Sequence, residues 1–295
     1  MSTEVVQTII DGLSVGGLYA LTALGIGLIF SVMRLGNFAH SEFITVAAYV
    51  LFALSGQPLV MSIAASVLVA IALAVLTERV GFRPLRNADP ATLLISSFTV
   101  SMFLQRLMVF LIGSRPKAID PLSMLNGSWH VGGVQISVLK LVTIIACAVL
   151  LVALTLFLRK TRFGLQMRAA AENFTMSRLL GVRANAVIAV SFALSGVLAA
   201  TVAVLFSAQT GFVHPRFGVQ LVIIAFVATV IGGLGNLTGA ALGGFLVGFV
   251  STLLQALLPD ELRPFREAFL FAVVVVVLLF RPQGLLPAKN LRERV

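Results

Sequence analysis

Nine long apolar runs, separated by short polar connections, constrain the fold of this chain more than any other feature. An α-helix needs about 20 apolar residues to cross the hydrocarbon core of a bilayer, because each residue adds about 1.5 Å. Only 11% of the 295 residues are charged, against about 25% in soluble proteins. The sequence therefore predicts an all-α, polytopic membrane protein. The predicted spans are 8–31, 42–56, 60–77, 92–113, 138–158, 186–210, 219–234, 239–258 and 266–281.

Two of these runs, 42–56 and 219–234, are short for a full crossing. Each is predicted to be either a half-helix or a re-entrant segment. The expected number of transmembrane helices is therefore nine, with eight as the alternative. No connection much exceeds 25 residues, so residues 1–295 are predicted to form one transmembrane domain.

The basic residues concentrate in three stretches, 78–91, 159–185 and the tail after residue 281, which includes Lys289, Arg292 and Arg294. Loops rich in lysine and arginine stay on the cytoplasmic side of a membrane. Nine spans place all three stretches on that side, with the N-terminus outside and the C-terminus in the cytoplasm. The net charge of +10 is therefore attributed to membrane orientation and not to nucleic-acid binding.

Several kinds of chemistry are missing from the sequence. No G-x-x-x-x-G-K-[ST] phosphate loop is present, so ATP binding by that motif is excluded. The glycines of "GGLGNLTGAALGG" (232–244) have the spacing of closely packed membrane helices. His40, His130 and His214 lack the spacing of a metal site. The chain is predicted to be no enzyme, with no catalytic residue, metal ion or cofactor of its own.

Few charged residues lie within the spans, and Arg106 is the deepest of them. An arginine at this depth faces protein or water, so it lines a pathway or joins two helices. A tie to a backbone carbonyl, to Asp11 or to Glu42 is the simpler alternative. The scarcity of carboxylates near the membrane centre disfavours an ion-coupled carrier, although that function stays open, as does a structural or assembly role without transport.

A polar stretch, "RLGNFAHSEF" (34–43), interrupts the first two spans. Ser41 is predicted to cap a helix that begins at Glu42, whose carboxylate suits a helix N-terminus. A second hypothesis makes this stretch a break in the membrane, with Asn37 and His40 lining the inner end of a pathway.

The longest basic connection, 159–187, predicts one short helix from Leu165 to Leu180. It contains helix formers and no proline, and Gly181 follows as a C-terminal stop. An interfacial helix, a solvated loop and a docking helix for a cytoplasmic partner are all compatible with this pattern.

Over nearly its whole length the chain resembles the LivH-like permease subunits of high-affinity branched-chain amino-acid ABC importers. No single segment is specific, but five occur in the family's order. They are "GLYALTALGIGLIFSVMRLGNFAHSEF" (17–43), "RPLRNADPATLLI" (83–95), "MRAAAENFTMSRLLGVRANAVIAVSFALSGVLAA" (167–200), "AFVATVIGGLGNLTGAALGGFLVGF" (225–249) and "LLFRPQGLLP" (278–287).

The resemblance implies a multi-subunit importer in the cell inner membrane. The expected partners are a second, related permease subunit, two cytoplasmic ATPase subunits that bind the ATP, and a periplasmic substrate-binding protein. The family's ATPase-coupling loop falls on Arg168, Ala169, Ala170, Ala171, Glu172 and Gly181. The candidate pathway residues are Asn37, His40, Ser41, Glu42 and Arg106.

One departure is Ser41, where the family usually has glycine after "NFAH". Serine is also small, so the architecture is expected to persist, with an effect on local flexibility or substrate preference. Relatives also carry urea, amides and other small organic solutes, so the sequence leaves the cargo open.

Overall fold

A computed structural model describes residues 2–86, 88–131 and 134–286 of the chain. Lys289, Arg292 and Arg294 of the predicted basic tail lie outside these residues. The described residues form eleven α-helices. They are α1 (Ser2–Met33), α2 (His40–Ala53), α3 (Leu59–Thr77), α4 (Pro90–Ile112), α5 (Val138–Lys160), α6 (Arg162–Glu172), α7 (Phe174–Leu179), α8 (Ala184–Thr210), α9 (Phe217–Gly232), α10 (Leu237–Leu257) and α11 (Arg266–Phe280).

Each of the nine predicted spans coincides with one helix, so the prediction of a polytopic helical fold is confirmed. Six helices in the described ranges are long and apolar enough to cross a membrane: α1, α3, α4, α5, α8 and α10. The short runs became short helices, with 14 residues in α2 and 16 in α9. Helix α11 has 15 residues.

Helix α1 lies at the centre of the bundle and packs against α5, α8, α9 and α10. Its closest neighbour is α10, which runs in the opposite direction. A Cβ atom on Gly244 would lie 2.3 Å from the Cα of Ala20, and one on Gly248 would lie 2.3 Å from the Cα of Gly16. Only glycine allows backbones to approach so closely. The glycine spacing is therefore a packing device, as the sequence predicted.

The three basic connections meet at one end of the bundle, here called the basic end: residues 78–86, 159–183 and 281–286. Arg86 forms an ion pair with Glu78 and a hydrogen bond with Asn185, which joins the α3–α4 connection to the start of α8. At the same end, the amide of Leu286 donates to the carbonyl of Gly232 at 3.0 Å.

The opposite end carries two small β-ribbons that the sequence did not predict. Strand β1 (Lys117–Ala118) pairs with β4 (Phe212–Val213), and β2 (Ser128–Val131) pairs with β3 (Val134–Ser137). The first ribbon ties the long α4–α5 connection to the segment between α8 and α9. At this end Lys140 also forms an ion pair with Asp11 at 2.6 Å.

Candidate functional site

The chain turns back into the bundle directly after α1. Arg34 has a φ of 55°, in the left-handed region that non-glycine residues seldom adopt. Residues 34–39 then run without helical structure until α2 begins at His40. A Cβ atom on Gly25 would lie 2.5 Å from Cε1 of His40. Helix α2 therefore starts beside Gly25, about 12 Å before the end of α1, which makes it a half-helix.

The first turns of α2 and α9 meet inside the bundle. The amide of Gly218 donates to the hydroxyl of Thr45 at 3.0 Å, and a Cβ on Gly218 would lie 2.1 Å from the carbonyl oxygen of Ser41. The N-terminal end of a helix carries a partial positive charge. Two such ends are thus brought together near the centre of a predicted membrane protein.

The carboxylate of Glu42 lies in the first turn of α2, where it is fully buried. Its Oε1 accepts hydrogen bonds from Ser41 at 2.9 Å, Ser101 at 2.9 Å and Gln105 at 3.1 Å. Its Oε2 has no partner among the described residues. Because a buried carboxylate needs hydrogen-bond donors, these contacts fasten α4 to the start of α2. Ser101 and Gln105 were not singled out in the sequence, since only the fold brings α4 next to α2.

Asn37 and His40 complete this buried polar cluster. The Oδ1 of Asn37 accepts from the amide of Ala39 at 3.1 Å and shapes the turn before α2. The Nδ1 of His40 lies 2.9 Å from the hydroxyl of Ser195 on α8. Asn37 Nδ2 and His40 Nε2 find no partner in the described ranges. Both side chains are at most 1% exposed, so neither borders an open passage in the single chain.

The predicted cap at Ser41 is wrong. Helix α2 begins at His40, with Ala39 at the cap position and no side-chain cap bond. Ser41 already lies within the first turn, and its single hydroxyl hydrogen is shared between the carbonyl of Phe38, at 2.7 Å, and Glu42. The carbonyl of Asn37 accepts from the amide of His40 at 3.4 Å, so the turn that starts the helix forms earlier than the residue types suggested.

Arg106 does not join the cluster, although its neighbour Gln105 does. Its side chain is exposed on α4 and forms no hydrogen bond or ion pair with the described residues. The expected tie to Asp11 or Glu42 is therefore not formed. Asp11 pairs with Lys140 instead, and Glu42 binds its three polar neighbours. Arg106 lies about 9 Å along the helix from the end of α4 at Ile112.

A second candidate site lies at the basic end, where the predicted helix 165–180 is two helices. Asn173 breaks it, because its backbone is extended and its side chain accepts from the amide of Met176 at 2.9 Å, which caps α7. The predicted stop at Gly181 is confirmed by its φ of 86°. One face of α6 is buried through Gly164, Met167 and Ala170.

The other face of this helix pair is exposed. Arg168 and Glu172 are exposed on α6, and the large apolar side chains of Leu179 and Leu180 are 77% and 80% exposed beyond it. Ala169 and Ala171 are half-buried, whereas Ala170 packs inward. Arg34 reaches this helix from the end of α1 and donates to the carbonyl of Ala171 at 3.2 Å. No pattern in the sequence indicated this contact.

Comparison with known proteins decides the family. The model of the family described as branched-chain amino acid transport system / permease component matches residues 8–278. The chain belongs to this family. The sequence resemblance to LivH-like permeases is thereby confirmed.

Three relatives illustrate the similarity to this permease family. The chain is 35% identical to the high-affinity branched-chain amino acid transport system permease protein BraD of Pseudomonas aeruginosa, over 95% of each chain. It is 33% identical to the corresponding protein LivH of Escherichia coli, over 95% of this chain and 94% of LivH. A probable LivH of Methanocaldococcus jannaschii is 26% identical over 91% of this chain and 88% of that protein. No solved structure matches the chain.

The family's membrane location agrees with the fold, because several helices of this chain are long and apolar enough to span a bilayer. The candidate residues fall into two separate groups. Asn37, His40, Ser41 and Glu42 form one buried cluster, while residues 168–172 and Gly181 lie at the basic end. Arg106 stands apart from both.

Proposed function

We propose that this chain is the membrane-spanning subunit of a binding-protein-dependent importer that moves branched-chain amino acids into the cell. The observation that carries the proposal is the similarity to BraD over 95% of both chains. The sequence has no phosphate loop, which is consistent with ATP hydrolysis by separate subunits. The partners are a second, related permease, two ATPase subunits and a periplasmic binding protein.

In the proposed orientation, the complex lies in the inner membrane and the basic end faces the cytoplasm. Arginine and lysine residues outnumber acidic ones at that end, whereas the other end is mixed, with Asp11, Asp260 and Glu267 near basic residues such as Lys117, Lys140 and Arg263. The N-terminus is then outside and the C-terminus inside. The binding protein docks on the outer connections 114–137, 211–218 and 259–265.

The proposed coupling element is the pair α6–α7 with its stop at Gly181. An apolar patch on a cytoplasmic surface marks a protein-binding site, and Leu179 with Leu180 forms such a patch next to Arg168 and Glu172. Movement of α6 is transmitted to α1 through the hydrogen bond from Arg34 to Ala171. The ATPase thereby acts on the central helix of the bundle.

The proposed pathway runs along the exposed face of α4, against the second permease subunit. Arg106 lies on this face with no partner among the described residues of its own chain, and an arginine within a membrane is tolerated when it faces water or protein. A positive group there attracts the carboxylate of an amino acid. The buried cluster of Asn37, His40, Ser41 and Glu42 supports the adjoining wall, because Gln105 bonds to Glu42.

Reconstitution tests the function directly. The permease pair and the ATPase pair are reconstituted in liposomes. ATP is enclosed in the lumen, which the ATPases face, the binding protein is added outside, and the uptake of leucine into the lumen is measured. We expect uptake that needs both ATP and binding protein. Uptake by the chain alone, driven by a proton or sodium gradient, would identify an ion-coupled carrier instead. Ligand binding by the cognate binding protein separates branched-chain amino acids from urea or amides.

The coupling site has its own test. Glu172→Ala with Gly181→Ala, and separately Leu179→Ser with Leu180→Ser, are expected to reduce co-purification with the ATPase subunits and to uncouple ATP hydrolysis from transport. Gly56→Ala is the control, because a Cβ at that position meets no atom within 4 Å. Undiminished association in both double variants would refute the docking assignment.

Labelling tests the pathway face. Cys147 is the single cysteine, so its replacement by alanine gives a background without thiols. Arg106→Cys is expected to react with a membrane-impermeant maleimide in the assembled complex and to be protected by the substrate. Val152→Cys on α5, 58% exposed, is expected to stay unreactive in lipid. Equal reactivity at both positions, without protection, would contradict the proposal.

A further inference from the structure

A cavity of about 870 Å³ opens at the basic end, between α1, α5, α6 and α10. It is separate from the buried cluster around Glu42. Along the helices, the part farther from the basic end, here called the deep part, is lined by apolar side chains, and the part at the basic end, here called the mouth, by polar and charged ones. The deep part includes Leu24, Leu151, Leu154, Leu242 and Phe245. The mouth includes Arg34, Arg159, Arg168, Glu172 and Asn236.

Polarity changes along the cavity in the direction of the helix axes. On α5 the lining passes from Leu151 to Arg159, a distance of roughly 12 Å along the helix axis. On α1 it passes from Leu24 to Arg34, and on the α10 side from Phe245 to Asn236. One leaflet of a bilayer has a hydrocarbon depth of about 15 Å. The cavity lining thus changes from apolar to charged over about the same distance as a single leaflet does.

The mouth is positively charged. Three arginines surround it against one glutamate. Arg159 and Arg168 form no ion pair within the described part of the chain. Arg34 uses one guanidinium nitrogen for the carbonyl of Ala171 and can still offer other donors, since a guanidinium carries five N–H groups. Several arginine side chains around one opening are suited to binding phosphate oxygens.

We propose that this cavity binds one anionic phospholipid of the cytoplasmic leaflet, with its phosphate between Arg34, Arg159 and Arg168 and an acyl chain over Leu151 and Leu154. A free phosphate or a nucleotide would not fill the apolar deep part of the cavity. A neutral lipid would not provide a negative charge for the arginines. Basic pockets between membrane helices on the cytoplasmic side are suited to such headgroups. The inference rests on the proposed orientation of the chain.

The lipid has a mechanical consequence at this position. Its phosphate bridges the end of α1, through Arg34, to α6, through Arg168. It therefore reinforces the contact between Arg34 and Ala171 and holds the coupling helix against the bundle. Loss of the lipid loosens α6 without touching any residue of the pathway.

The test uses the purified full chain, delipidated in detergent and without ATPase partners, so its outcome does not depend on transport. Binding of phosphatidylglycerol and phosphatidylcholine with identical acyl chains is measured by native mass spectrometry. We expect phosphatidylglycerol to bind roughly tenfold more tightly or better, because each basic residue near the headgroup contributes. Equal binding of the two lipids would overturn the proposal.

Two pairs of variants locate the site. The triple change Arg34→Gln, Arg159→Gln and Arg168→Gln is expected to abolish the preference. The control triple Arg79→Gln, Arg83→Gln and Arg178→Gln removes the same charge at the same end, from exposed residues outside the cavity, and is expected to preserve it. Leu242→Trp, in the lining, is expected to block binding, whereas Leu246→Trp, outside it, is not.

The remaining outcomes are decisive as well. An equal loss in both triple variants would mean that general surface charge holds the lipid. Displacement of phosphatidylglycerol by millimolar inorganic phosphate would mean a site for a free anion. Either result overturns the phospholipid site while leaving the proposed transport function untouched.

Discussion

The Nδ1 of His40 lies 2.9 Å from the hydroxyl of Ser195, which ties the first turn of α2 to the middle of α8. The next residue, Gly196, packs α8 against α3, since a Cβ there would lie 2.9 Å from the carbonyl oxygen of Ala70. One short stretch of α8 therefore holds α2 and α3. The position of the half-helix depends on His40 staying where it is.

Gly25→Ala is expected to displace His40 and to disturb the start of α2. The new methyl group would lie 2.5 Å from Cε1 of the imidazole, and overpacking of this kind costs about 1–3 kcal/mol. We expect a lower thermal midpoint and a strong loss of uptake. Gly27→Ala is the matched control on the same helix, because its nearest neighbours would be at 3.4 Å. Equal effects of the two changes would contradict this account.

Glu42→Ala is expected to destabilise the protein, and Glu42→Gln to do so much less. Alanine removes the acceptor that Ser41, Ser101 and Gln105 share. Ser41 keeps the carbonyl of Phe38 and Gln105 keeps the hydroxyl of Ser101, so the loss falls chiefly on the hydroxyl of Ser101. A buried donor left unpaired costs about 1–3 kcal/mol. Glutamine keeps an acceptor oxygen for the three donors. The check is the thermal midpoint of each variant in one detergent. If both variants melt alike, the three hydrogen bonds do not stabilise the junction.

Ser41→Gly, which introduces the residue usual in the family, is expected to keep transport while lowering stability modestly. Glu42 loses one donor, worth about 1 kcal/mol or more, and glycine in a helix costs about 1 kcal/mol relative to alanine. Ser41→Ala removes only the hydrogen bond and separates the two contributions. Thermal midpoints and uptake are measured in parallel. A stability gain in Ser41→Gly would show that Ser41 strains the turn.

Gly248→Ala is expected to separate α1 from α10 and to prevent correct folding. The added methyl group would lie 2.3 Å from the Cα of Gly16, which is backbone and has no rotamer to change. Gly56→Ala is again the control, with open space around it. Yield of monodisperse protein after size-exclusion chromatography is the measurement. Normal yield for Gly248→Ala would mean that the two helices can part without loss.

The sequence predicted the helices well because lipid solvation demands long apolar runs, and those are visible without knowledge of neighbours. Prediction from the sequence failed where contacts with another part of the chain determine the local structure. Asn173 breaks the predicted helix 165–180 through a local cap, and that residue type is also common inside short helices. The partners of Glu42 come from α4, 59 and 63 residues away. No periodicity in the sequence indicates such a contact.

The start of α2 shows the same limit on a smaller scale. Serine and glutamate at 41 and 42 have the residue types of a helix start, but the turn shaped by Asn37 sets the first residue at His40. Arg106 lies within α4, as the sequence predicted, whereas the side of α4 on which it lies followed only from the packing of Gln105 against Glu42.

The glycine contacts between α1 and α10 limit how the protein can move. The backbones of α1 and α10 touch at Gly16 with Gly248 and at Ala20 with Gly244. A small sliding movement would make the side chains of one helix collide with those of the other. The nearest alternative packing is a shift by a whole helical turn, about 5.4 Å. We therefore expect α1 and α10 to move together as one rigid unit. We expect the surrounding helices to rearrange relative to this unit, with the non-helical residues 34–39 allowing α2 to turn.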